Sequence, residues 1–137
     1  MTIKLAPRDY SLEPEGFGKA FSLRWKPADS VLQARYIRAA QMQHQVSLTI
    51  ALKLRSLGQT RREYAEAVEM SYDRVTKILR GDSLMHLEDI AAADKTLFSD
   101  EPEWIAGGLV DLSRLHIVLK PLDSRLLDGK PPQDDRH

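Results

Sequence analysis

The chain has 137 residues, 42% apolar and 29% charged, a globular balance with enough length for a core that needs no disulfide or metal. Zero cysteines exclude disulfide frameworks, thiol catalysis and thiolate zinc sites, and no run approaches the roughly 18 apolar residues of a membrane span. The opening MTIKLAPRDYSLEPEGFG lacks the apolar stretch of a secretory signal, so a cytoplasmic chain with no membrane partner is expected.

The net charge of +0 conceals a division. Residues 1–80 hold 14 Lys+Arg against 8 Asp+Glu, and residues 81–137 hold 6 against 12. Such asymmetry points to nucleic-acid contact by the basic part, or to ordinary solvated charge.

Residues 1–29 contain Pro7, Pro14, Gly16, Gly18 and Pro27 and read as an irregular, partly extended arm. Phe21, Leu23 and Trp25 alternate with polar residues, as in a short strand. Arg24-Trp25-Lys26 suits either a cap on the core or a groove-reaching arm. Asp29 or Ser30 can cap a helix beginning at VLQARYIRAAQ, because their side chains accept the free N–H groups of a first turn. With no proline or glycine before Gly58, this stretch is one long helix or two broken near His44 to Ser47. Val46, Ile50, Leu54 and Leu57 mark one apolar face, and Gly58 closes the helix in the left-handed conformation.

Thr60 and Glu63 form T-x-x-E, a capping box that opens RREYAEAV. Ser71 caps YDRVTKILR, which Gly81 ends. These two helices, eight or nine residues each, are joined by the turn Glu69-Met70-Ser71. Ala65 is small where they cross, and Val68, Met70, Val75 and Ile78 point inward. A fourth helix, LEDIAAADKTL, follows His86, itself a cap or a surface residue, and carries Leu87, Ile90, Ala91, Asp94 and Leu97 at helical spacing. Past Phe98, Trp104 and Ile105 form a packing anchor. Leu115, Ile117 and Leu119 suit a strand of RLHIVLK, although Leu109, Leu112, Leu115 and Leu119 also fit helical spacing. The end, DGKPPQDDRH, reads as a disordered tail.

The segment TRREYAEAVEMSYDRVTKILRG resembles the helix-turn-helix of the Cro/C1-type (XRE-like) family of bacterial and phage transcription regulators. Thr60, Ala65, Met70, Ser71, Val75, Ile78 and Gly81 fall in register with that family's pattern. Leu87, Ile90 and Leu97 continue it, and the likeness covers residues 46–97. Three positions depart from the pattern. Glu69 stands at the turn glycine, at roughly 1 kcal/mol of left-handed penalty. Tyr64 replaces a leucine. Leu54 and Leu79 stand where the family often pairs an arginine with a glutamate; with both apolar, no buried charge is stranded.

The resemblance implies a Cro/C1-repressor-like helical domain; with the residue patterns on either side of it, the expected fold is mainly α with an N-terminal helical extension and a short C-terminal β-strand. The expected organisation is an arm over 1–29 and a DNA-binding domain over 30–98 with the helix-turn-helix at 60–81. A dimerisation or packing segment over 99–122 and the tail over 123–137 complete it. A recognition helix over 72–80 would enter the major groove of double-stranded DNA. Tyr72, Asp73, Arg74, Thr76 and Lys77 are the candidate base readers: Lys77 or Arg74 can donate to guanine, and Asp73 can accept from cytosine. Thr60, Arg61, Arg62, Ser71, Arg80, Lys53 and Arg55 are the phosphate candidates. Residues 53–80 hold 7 basic and 4 acidic residues, so this segment is basic within a neutral chain.

The function implied is a sequence-specific repressor acting as a homodimer on an inverted repeat. Its dimer surface would come from helix 30–45 or from Trp104 to Leu119. An antitoxin or other module of the same fold that holds a second protein is the alternative. The four histidines, His44, His86, His116 and His137, show no zinc-binding spacing, and Gly16 and Gly18 fall short of a phosphate loop. No cofactor, metal or catalytic constellation is expected.

Overall fold

In the computed structural model, which describes residues 3–99, the long helix begins at Ser30, whose side chain accepts from the Gln33 N–H. The helix then runs unbroken as α1, Val31–Leu57, through the His44 to Ser47 region. Gly58 ends it with φ 68°. At 27 residues it is about 40 Å long, and the first turn of the arm and two of the later helices pack on it. Three shorter helices follow: α2 (Arg61–Ala67), α3 (Tyr72–Arg80) and α4 (Leu87–Leu97). No strand occurs among the described residues, and the chain is mainly helical there.

The two halves of α1 have different neighbours. Ile37 and Ala40 in its first half pack with Tyr10 of the arm, flanked by Leu5, Trp25 and Tyr36. Val46, Ile50 and Leu54 in its second half are buried as expected, but Leu57 in the last turn is 49% exposed. The helix also packs on both α3 and α4. On α4 the buried row is Asp89, Ala93 and Leu97. Leu87, expected on the apolar face, is 82% exposed: two residues before Asp89, it points about 200° away from that row.

The arm folds back on α1 through two short 3-10 turns, Pro7–Tyr10 and Pro14–Gly16. The expected strand through Phe21, Leu23 and Trp25 is absent. A lone antiparallel bridge joins Ser11 and Trp25, flanked by Leu12 N–H to Arg24 O and Lys26 N–H to Tyr10 O, both 2.9 Å. Phe21 is 79% exposed, so the alternation does not mark a buried face. Trp25 caps the core: its ring meets His44 at 5.9 Å and Phe17 at 6.4 Å, each edge-on. His44 Nδ1 accepts from the Gly18 N–H at 2.8 Å, which places the ring proton on Nε2. That Nε2 is buried with no hydrogen-bond partner among the described residues. Burial lowers the His44 pKa from its ordinary value, and the Ala20 backbone offsets part of the drop.

The chain divides between Leu97 and Phe98. The expected C-terminal strand, dimerisation segment and tail lie, Ser99 apart, outside the described residues.

Candidate nucleic-acid interface

Local rules build the α2–α3 pair. Thr60 accepts from the Glu63 N–H at 3.1 Å and Glu63 accepts from the Thr60 N–H at 2.8 Å, completing the capping box. The helix it opens is shorter than expected, because α2 stops at Ala67 and Val68 already has φ −96° and ψ 4°. Glu69 then adopts φ 57°, the left-handed conformation that favours glycine. The Met70 N–H closes the turn on Ala65 O at 3.0 Å. Ala65 and Tyr64 are both buried, whereas Val68 and Met70 are only half-buried. Burial, aided by the negative charge of Asp89, pushes the Tyr64 hydroxyl up to about 12.

Ser71 caps α3 by accepting from the Arg74 N–H at 3.1 Å. One face of α3 is core: Val75, Ile78 and Leu79 are at most 2% exposed. Burying side chains of this size contributes about 1.5–3 kcal/mol each. Leu54, like Leu79, is buried, so no charge is stranded at either position. The end of α3 is held from two sides. Gln43 Nε2 donates to Ile78 O at 2.8 Å and to Ser83 O at 2.9 Å, while its Oε1 accepts from the Met85 N–H at 2.8 Å. Ser47 Oγ donates to Ile78 O at 3.4 Å. From the arm, the Arg8 N–H donates to Gly81 O at 3.0 Å. A Cβ on Gly18 would lie 2.5 Å from Leu79 O, and one on Gly81 would lie 2.7 Å from the Phe17 ring. The arm and α1 thus fix the angle at which α3 stands.

The remaining face of α3 is open. Tyr72 is 41% exposed, and the Arg62 guanidinium from α2 lies over its ring at 4.2 Å. Asp73 and Lys77, both exposed, pair at 3.1 Å. Arg80 is exposed, with Nε 3.5 Å from Asp82. Arg55 is exposed near the end of α1, while Lys53 in the same helix and Arg61 at the start of α2 are half-buried. The Thr60 and Ser71 hydroxyls both accept capping hydrogen bonds and remain at the surface.

Two candidates need correction. The Arg74 guanidinium donates to Asp89 at 2.6 Å and lies 3.4 Å from His86 Nδ1, so it ties α3 to α4 instead of standing on the open face. Thr76 is half-buried, and its hydroxyl oxygen is shut away without a partner among the described residues. Its place on α3, one residue after Val75 and two before Ile78, turns it towards the core.

Three organising residues escaped the sequence reading. Asp89 accepts from the His86 N–H at 2.7 Å as well as from Arg74. His86-x-x-Asp89 therefore works as a capping pair, a signal the spacing offered. Gln43 and Gly18 offer no such local signal. No group of His, Asp and Glu among the described residues could hold a metal ion, and no helix there is long and apolar enough to cross a membrane. Comparison with protein-family models, with curated proteins and with solved structures finds no match to the chain.

Proposed function

We propose that the chain is a sequence-specific double-stranded DNA-binding regulator of Cro/C1 type, acting in the cytoplasm as a homodimeric repressor. The observation that carries this reading is the two-sidedness of α3. Its inner face is buried, its end is pinned by Gln43, Ser47 and the arm, and Tyr72, Asp73 and Lys77 are exposed along its outer face, Tyr72 and Asp73 in the first turn. A helix that reads bases must be rigidly aimed while leaving its N-terminal side chains free for the groove. The left-handed Glu69 supports the family resemblance, since it falls where the family's turn glycine is expected.

In this role Lys77 donates to guanine O6 or N7 and Asp73 accepts from cytosine N4, each contact contributing about 1–3 kcal/mol of discrimination. Asp73 and Lys77 exchange their mutual surface pairing, of small value in solvent, for contacts to bases. Arg62, Arg80 and Arg55 face phosphates. One such helix spans only a few base pairs, so a dimer on two half-sites about 34–36 Å apart provides the usual specificity. Repression then follows from occupancy of a promoter.

The test is selection of bound fragments from a random DNA library at near-physiological salt. An enriched inverted repeat with half-sites one helical turn apart, or a multiple of it, supports the reading. The absence of any enriched motif refutes it and favours the protein-interaction module.

A further inference from the structure

An apolar cleft of about 370 Å³ opens between the start of the arm, the first half of α1 and the loop after α3. Its volume falls within the range of small-molecule sites. Leu5 and Tyr10 form the arm side, Tyr36 and Ala39 the α1 side, and Leu84 the loop side. The Tyr10 and Tyr36 rings lie 6.3 Å apart at 44°, and the Tyr10 hydroxyl is engaged, accepting from the Leu5 N–H at 2.9 Å.

Two charged side chains line this cleft, and their situations differ. The Asp82 carboxylate is neutralised by two guanidinium groups, Arg8 at 3.2 Å and Arg80 at 3.5 Å. Lys4 is exposed, with its ammonium over the Tyr36 ring at 5.3 Å; no ion pair among the described residues joins it to Asp82. The cleft therefore offers apolar walls and one ammonium group with hydrogen-bond donors to share.

We propose that this cleft binds a small apolar monocarboxylate, with its acid group on Lys4 Nζ and its body against Tyr36, Ala39 and Leu84. An uncharged molecule of the same shape leaves the Lys4 donors unused, and the second acid group of a dicarboxylate would lie against apolar wall. The site also touches the end of α3, because Asp82 follows Gly81 and binds Arg80. A role as an effector site for DNA binding rests on the function proposed above, so the test is made on the free protein.

The experiment is a two-dimensional amide NMR titration of the full chain with phenylacetate, and with phenylacetamide as the neutral counterpart. Phenylacetate should give saturable shifts at Leu5, Ala39 and Leu84, with a dissociation constant of about 1 mM. Phenylacetamide should bind about three- to fivefold more weakly, and Lys4→Gln should lose the difference between the two. Ala39→Trp, which fills the cleft from an exposed position on α1, should abolish the shifts while leaving the rest of the spectrum in place. Lys4→Gln, at an exposed side chain, decides the matter by itself where Ala39→Trp disturbs the fold. The proposal is overturned by shifts that fail to saturate, by equal binding of acid and amide, or by unchanged binding of phenylacetate to Lys4→Gln.

Discussion

Replacing Arg74 by alanine removes the charged partner of a carboxylate that has only 7% of its side chain exposed. Asp89 then keeps one donor, the His86 N–H at 2.7 Å. Stranding one member of a buried ion pair costs about 3–5 kcal/mol. Arg74 is itself 35% exposed, so water can replace part of its contribution and the remaining backbone donor offsets more. The expected loss is about 2 kcal/mol, within the range for hydrogen bonds to charged groups. For a unit of this size that lowers the melting temperature by about 8–16 °C. The assay is urea unfolding followed by far-ultraviolet circular dichroism, run as a cycle of Arg74→Ala, Asp89→Ala and the double variant. The loss of the His86 contact cancels in that cycle, so the coupling should come out at about 1.5–3 kcal/mol. A single-variant effect below about 0.5 kcal/mol, typical of an unengaged surface residue, would refute the placement of Arg74 in the frame.

Further predictions concern backbone conformation and pH. Gly18→Ala should cost about 2–4 kcal/mol in unfolding free energy, since its Cβ would lie 2.5 Å from Leu79 O at φ 72°. Gly58→Ala, with φ 68° and open space around it, should cost only about 1 kcal/mol; equal costs in denaturant titrations would argue against the close approach of the arm to α3. Glu69→Gly should stabilise by about 0.5 kcal/mol, because relief of the left-handed penalty exceeds the added freedom of the unfolded chain. Destabilisation there would mean that the turn does not use that conformation. Because the folded chain holds His44 below its ordinary pKa of 6.5, the unfolded chain binds the proton first. Stability should therefore fall as pH drops below about 6.5 and level off beneath the folded value. Melting temperatures across that window should show a slope that is reduced in His44→Gln; an unchanged slope would assign it to other groups.

The helix boundaries were legible because their causes are local. Ser30, Thr60 with Glu63, and Ser71 each cap a helix within three residues of themselves, and Gly58 and Gly81 end theirs through their own backbone angles. What connects distant residues was not legible. The partner of Arg74 lies 15 residues downstream, so its periodic position on α3 suggested an open face while an acid on α4 turned it inward. Gln43 reaches main-chain atoms 35 to 42 residues away, and a lone glutamine in a long helix carries no mark of that role. The arm reads as irregular, which it is, but its docking depends on backbone hydrogen bonds from Gly18 to His44 and from Arg8 to Gly81, on Tyr10 packed against α1 and on close approaches at Gly18 and Gly81. Alternation at Phe21, Leu23 and Trp25 misled because a pattern of period two needs a paired strand, and Ser11 supplies only one bridge.

The most direct measurement of the central claim repeats the DNA selection with Lys77→Ala beside the unaltered chain. Lys77 is exposed and lies outside the buried face of α3, so its loss should leave the fold and the spacing of the half-sites intact. Preference should relax at the base pair that Lys77 reads in each half-site, by about 1–3 kcal/mol, while the other positions persist. An enriched motif identical in both selections, or binding weakened uniformly across sequences, would contradict base reading by α3 at this residue.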